Sequence, residues 1–238
     1  MAIYSIRPIA LCEGPRDLSQ YTYRLNTGTK CKSVSYIWYI EGSHPRTLID
    51  TGTPAVGGFA DELTTVEDGL TKLGLKPEDI EIVIVTHLHF DHVELGHLYK
   101  KAKFIVQKKE LDYTRNPHPM DASIYRRSTF ENLNLEVIDG EKEIIPGVSV
   151  FLTPGHSPGG QSIEVNTAAG KAIITGFCCH LRTFIQTEEM RGRGWEVAVP
   201  LIHHDVREMY DSVLKVKRRA DTIIAIHDPA YIDKEAIP

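Results

Sequence analysis

Residues 86 to 92 read T-H-L-H-F-D-H, which places His87, His89 and His92 with one carboxylate, Asp91, inside six consecutive positions. Imidazole nitrogens and carboxylate oxygens are the donors that a borderline cation such as zinc prefers. Holding them together without a metal is costly, because packed imidazoles repel once one is protonated. His87 and His89, two residues apart on turning backbone, can face one side, and Asp91 with His92 can reach a second centre. Two more histidines stand in comparable settings, His156 in T-P-G-H-S-P-G and His227 in A-I-H-D-P. Taken alone, either reads more readily as a packed or surface histidine than as a ligand; the cluster at 87–92 reverses that weighting. A dication on neutral imidazoles acidifies water from 15.7 to about 7 and polarises a carbonyl, so hydrolysis is the chemistry this donor set suggests.

Such donors need rigid elements behind them, and the pattern supplies these. Ile80 to Val85 is short, apolar and β-branched, which predicts a strand buried on both faces that ends at Thr86. Further strands are predicted near the N-terminus, over Ser33 to Glu41 and Thr47 to Asp50 as a hairpin, and at Phe104 to Val106, Ser149 to Leu152, Ser162 to Val165, Ala172 to Thr175 and Thr222 to Ile226. Helices are predicted from Phe59 to Leu73, stopping at Gly74, and from the capping residue Asp205 to about Ala220. Glu110 to Glu131, polar and interrupted by Pro117 and Pro119, reads as a loop and helix over one end of the sheet. The alternation of strands and helices gives an α/β class. Each histidine segment follows a predicted strand, and strand ends are where open α/β sheets hold ligands.

The chain has 238 residues, 42% hydrophobic and 25% charged, with a formal net charge of -5. That is ordinary globular composition, and residues 1–238 read as one domain. The acidic balance argues against a nucleic-acid partner, and the basic run from Lys215 to Arg219 reads as the wet face of a helix. No stretch approaches the roughly 18 apolar residues of a membrane span, and Arg7 with Pro8 interrupts the start as a secretion signal. A cytoplasmic protein acting on a small molecule is the expectation, with a homodimer left open. Four cysteines, two of them adjacent, suit reduced thiols better than a disulfide framework.

H-L-H-F-D-H, with L-I-D-T-G at 48–52 upstream and T-P-G-H-S-P-G downstream, resembles the metallo-β-lactamase superfamily over most of the chain, from Leu48 to Pro229. The run V-P-L-I-H-H-D at 199–205, then a helix, a strand and I-H-D, is similar to the N-acyl-homoserine lactonase branch. The resemblance implies a four-layer αβ/βα sandwich. One metal would sit on His87, His89 and His156, and a second on Asp91, His92 and His227. Zinc is the expected ion, one or two per chain, with manganese or iron as alternatives. Asp50 matches a carboxylate that orients ligand histidines. Asp91 would also carry a proton to the leaving group. Lactone or related cyclic ester or amide hydrolysis is the implied reaction. A thioester hydrolase of the glyoxalase II type and a non-hydrolytic metal-binding or redox member are the alternatives, and a superfamily nuclease is disfavoured by the acidic charge.

The pattern breaks at T-G-F-C-C-H, 175–180, where the superfamily supplies an aspartate that bridges both metals and this chain has Phe177. Three readings stay open: Cys178 is a soft ligand, or the second site is weak or absent, or both cysteines are buried small residues. His180 stands where the lactonases carry a substrate-contacting tyrosine, which makes it a candidate acid or oxyanion donor. Glu94 departs from the family's glycine pattern and reads as facing water. For the substrate mouth the aromatic residues Tyr21, Tyr23, Trp38, Phe184 and Trp195 with His203 and His204 are candidates, Phe184, Trp195 and His204 foremost. Arg182, Arg191 and Arg193 could meet a substrate carboxylate.

Overall fold

The computed structural model describes residues 2–55 and 60–238. In chain order the strands and helices are β1 (Ser5–Asp17), β2 (Lys30–Glu41), β3 (Thr47–Ile49), β4 (Asp61–Glu62), α1 (Val66–Thr71), β5 (Ile82–Ile84), α2 (Phe90–Val93), β6 (Lys103–Gln107), α3 (Lys108–Tyr113), β7 (Leu135–Ile138), β8 (Lys142–Ile145), β9 (Val148–Leu152), β10 (Gln161–Thr167), β11 (Gly170–Ile174), α4 (Glu188–Gly192), α5 (Val206–Arg219) and β12 (Thr222–Ile224). They form a seven-stranded sheet, β4-β1-β2-β3-β5-β6-β7, and a five-stranded sheet, β12-β11-β10-β9-β8.

Side-chain alternation explains the stacking. In the first sheet Ile49, Ile84 and Ile105 are register partners and point into an apolar layer shared with Val150, Ile163, Ile174 and Ile224 of the second sheet. Their neighbours Leu48, Val83 and Phe104 face the other way, onto Val66 and Leu70 of α1. On the far side Phe151 and Ile173 meet Met209, Val213 and Val216 of α5. Helix, sheet, sheet, helix is the expected four-layer sandwich. Trp38, a candidate for the substrate mouth, lies between the sheets against Tyr36 and Tyr231.

At one end the apolar seam between the sheets gives way to polar bonds. The Gln161 backbone N–H donates to the Thr86 carbonyl at 2.9 Å, and its side-chain amide donates to the Val85 carbonyl at 2.7 Å. Gln107 donates to the Gln161 carboxamide oxygen at 2.8 Å. These bonds tie β10 of one sheet to the exits of β5 and β6 of the other.

The expected hairpin forms, with Trp38 opposite Ile49. The helix expected from 59 to 73 is shorter: Thr65 caps α1 by accepting from the Asp68 N–H, and Asp61 and Glu62 pair with β1 instead. Phe59 lies outside the described residues. Asp205 caps α5 through the N–H groups of Arg207 and Glu208, as expected. The short strands β7 and β8 were not anticipated, since L-E-V-I and K-E-I-I mix charge with apolar residues over four positions. No helix among the described residues is long and apolar enough to cross a membrane.

Candidate metal centre

Three strand exits converge. After β5 the chain turns through Val85 and Thr86 and presents His87 and His89, then enters α2, which carries Asp91 and His92. His156 comes from the loop after β9 and His227 from the turn after β12. Among the described residues two groups of donors form, each with its atoms within 4.8 Å of one another: His87, His89 and His156, and Asp91, His92 and His227. The five histidines are 0–6% exposed.

The hydrogen bonds around them assign the tautomers. Asp50 takes a left-handed φ of 57° just past β3, which turns its fully buried carboxylate toward the site. It accepts from the Thr86 N–H at 2.7 Å, the Thr86 hydroxyl at 2.8 Å and His92 Nδ1 at 2.7 Å. With its hydrogen given to Asp50, the Thr86 hydroxyl can only accept from His87 Nδ1, 3.0 Å away. His156 Nδ1 donates to the Ile202 carbonyl at 2.8 Å, and His227 Nδ1 to the Val34 carbonyl at 3.0 Å. Each of these four rings therefore turns Nε2 inward, bare in the neutral form.

Two of those nitrogens, on His87 and His156, face each other at 3.1 Å with no proton to share. Two nitrogens on one tetrahedral zinc stand about 3.3 Å apart, from bond lengths of about 2.0–2.1 Å. His92 Nε2 is buried without a hydrogen-bond partner and stands 3.5 Å from Asp91 Oδ2, which is 3.9 Å from His227 Nε2. Lone pairs directed at one another and an orphaned buried nitrogen are what a cation site leaves behind, so the residues fit a metal in both groups.

Burial, with neighbouring imidazoles, holds His87 and His89 well below the usual histidine range and His156 at about 4, so these rings are neutral at pH 7. His92 differs: burial opposes its charge, but Asp91 and Asp50 outweigh it and raise the ring to about 9. For Asp91 burial pushes upward and the imidazoles of His92 and His227 overcome it, leaving the carboxyl at about 2. Ligation requires neutral imidazole. Loading the second group at pH 7 is therefore expected to expel about one proton from His92, read as a calorimetric heat that varies with buffer ionisation enthalpy; a buffer-independent heat would count against it.

The loops are held by a residue that the sequence did not single out. Glu110 of α3 is fully buried, and its carboxylate accepts from the Leu88 N–H and the Gly159 N–H, both at 2.9 Å. It joins the loop of His87 and His89 to the loop of His156. Burial pushes its carboxyl up, yet the two N–H groups favour the ionised form. A Cβ on Gly159 would stand 2.1 Å from the Glu110 backbone nitrogen. Gly159→Ala is thus expected to destabilise by about 1–3 kcal/mol, measured as a lower denaturant midpoint at unchanged slope.

A model of the metallo-beta-lactamase superfamily matches residues 32–227. The chain belongs to the metallo-beta-lactamase superfamily. An N-acyl homoserine lactonase of Bacillus cereus is 31% identical over 185 residues, covering 67% of this chain and 69% of that protein. A probable metallo-hydrolase of Methanocaldococcus jannaschii is 34% identical over 181 residues, with 76% and 70% covered. The crystal structure of a quorum-quenching N-acyl homoserine lactone lactonase superposes with a TM-score of 0.75 at 25% identity, covering 96% of this chain and 94% of that one.

Within this metallo-beta-lactamase fold the remaining candidates separate. Phe177 turns away from the donors into the outer core, 6.4 Å from Phe184 between ring centroids. Cys178 joins neither donor group, and burial of its sulfur followed by Asp91 holds its thiol well above the usual range. Cys179 is buried against the Thr175 hydroxyl at 3.0 Å. His180 Nδ1 meets Asp228 Oδ2 at 2.8 Å, and its ring lies beside Tyr21. A cavity of about 310 Å³ opens on Asp91 and His227, bounded by β1, β2 and the 53–54 turn. Phe184, Trp195 and His204 do not line it: Phe184 packs under α5, Trp195 against Leu25 and Met190, and His204 against Tyr113. Glu94 does not face water alone; it accepts from Thr53 and pairs with Arg126 at 2.8 Å, bracing the cavity rim.

Proposed function

We propose that this protein is a zinc-dependent hydrolase that opens a small lactone, with His87, His89 and His156 holding one ion and Asp91, His92 and His227 the other. The observation that carries the reading is the pair of donor groups with inward Nε2 atoms set against a cavity of ligand size. The curated relative from Bacillus cereus, an N-acyl homoserine lactonase, supports the reaction class. Zinc in this donor set supplies Lewis acidity, which lowers the pKa of water and polarises a carbonyl.

The chain's own groups do the rest. Asp50, Ile202 and Val34 fix the imidazole orientations through Nδ1. Asp91, ionised at any pH above about 2 and with 31% of its side chain open to the cavity, can take the proton that water loses on attacking the carbonyl carbon. As the ring carbon–oxygen bond breaks, that proton passes to the leaving alkoxide, and the product is a hydroxy acid. His180, whose Nδ1 meets the buried carboxylate of Asp228 at 2.8 Å, does not line that cavity. Both donor groups assemble without any residue from 176–180, so the altered bridging position does not dismantle the site.

Zinc content of the purified protein, and turnover of lactones, thioesters and phosphodiesters with and without chelator, test this reading. Chelator-sensitive opening of lactones with one to two zinc ions per chain is expected. Zinc-free protein with undiminished turnover, or no turnover of any carbonyl substrate, would overturn it.

A further inference from the structure

The cavity beside Asp91 carries two arginines that the chemistry above does not use, Arg16 and Arg126. Arg16 lies near the end of β1, opposite Cys31 of β2, and lines the cavity together with Asp91, His227, Ser33 and Thr53. The other charges on that wall are engaged. Glu13 pairs with Lys32. Arg126 pairs with Glu94 at 2.8 Å and lies on the Phe90 ring at 3.8 Å, and Asp91 faces His92 and His227. Among the described residues Arg16 has no carboxylate partner; its Nη1 donates only to the Pro15 carbonyl at 2.9 Å. Met1 and residues 56–59, Val-Gly-Gly-Phe, contain no acidic side chain.

A guanidinium stays charged at any working pH and presents a planar fork of donors matched to a carboxylate. Its field reaches the walls around it, since Arg16 opposes the upward push that burial gives the thiols of Cys12, Cys31 and Cys178. The arginines at 182, 191 and 193 are exposed, and Arg193 is paired with Glu189, so the cation positioned to read a ligand in this cavity comes from the first strand. A neutral ring leaves the Arg16 donors to water. An anionic ring gains a charge-assisted, two-pronged contact inside a concave wall.

We propose that Arg16 recognises a carboxylate on the substrate, so that the ring opened here belongs to a carboxylate-bearing lactone. This rests on the hydrolase reading above and narrows its substrate class.

The test uses the zinc-loaded full chain and two rings that differ at one substituent, γ-carboxy-γ-butyrolactone and γ-methyl-γ-butyrolactone. The wild type is expected to favour the acid in kcat/KM by about 10- to 100-fold, mainly through KM. Arg16→Gln is expected to bring that ratio close to one, and Arg16→Lys to restore part of it. Equal turnover of the two rings by the wild type, or a ratio unchanged in Arg16→Gln, overturns the proposal while leaving the hydrolase standing. If neither ring is opened, the reaction assigned to the site fails for these rings, and calorimetric titration with the γ-carboxy compound decides Arg16 alone. Binding by the wild type that is lost in Arg16→Gln sustains the proposal; equal binding, or none by the wild type, overturns it.

Discussion

Asp91→Asn is expected to lower lactone hydrolysis by about 10²–10⁴-fold while leaving the fold intact. Two effects act together. The carboxylate is one of three donors in its group, with His92 and His227, and an amide is a poorer ligand for a dication. The amide also cannot accept the proton that the attacking water gives up. The side chain is partly open to the cavity and makes no contact that holds the core, so stability should change little. Steady-state rates, zinc content and a circular dichroism melt measured together check the prediction. Loss of rate at full zinc content would assign the effect to proton transfer; loss of both would assign it to ligation. Activity within a few-fold of wild type would remove Asp91 from the reaction.

Asp50→Asn should produce the larger loss of stability. Asparagine tolerates the left-handed backbone found at this position, so the substitution tests charge and not backbone strain. The carboxylate receives three donors, the Thr86 N–H, the Thr86 hydroxyl and His92 Nδ1. A carboxamide offers one oxygen and turns an NH₂ toward the remaining donors, all of them buried. Breaking one side of such a buried network costs about 3 kcal/mol or more, roughly 6–12 °C of melting temperature for a chain of this size. With His92 no longer held, zinc in the second group should bind about 10- to 100-fold more weakly. Scanning calorimetry and a zinc titration measure the two effects. A melt that overlays the wild type would show that Asp50 does not anchor the ligand loop.

Much of the site was legible because its donors crowd a short stretch behind an unmistakable buried strand. His87, His89, Asp91 and His92 stand out from spacing alone. His156 and His227 gained weight only beside that cluster, since a single histidine after a strand has no local signature, and the long separation in sequence is closed by sheet stacking. Glu110 and Arg16 could not be read at all. Each acts through an approach set by tertiary packing, one across two loops and the other across a cavity wall, and in the sequence each is one more charged residue. The aromatic candidates lie away from the cavity on Asp91 for the complementary reason. Phe184, Trp195 and Trp38 are large apolar side chains, and a core claims these as readily as a binding mouth does. Likewise the four layers follow from alternation within long strands, while β7 and β8 are too short for a pattern to emerge.

The polar bonds of Gln161 and Gln107 give the molecule two kinds of seam. Where Ile, Val and Trp side chains meet, the sheets share non-directional contact, and beyond it the Tyr4 N–H donates to the Asn166 carbonyl at 2.9 Å. At the donor end, amide groups bolt strand to strand, and slip would break several bonds at once. Amide hydrogens of residues 85, 86, 107 and 161 should thus be among the slowest to exchange with solvent.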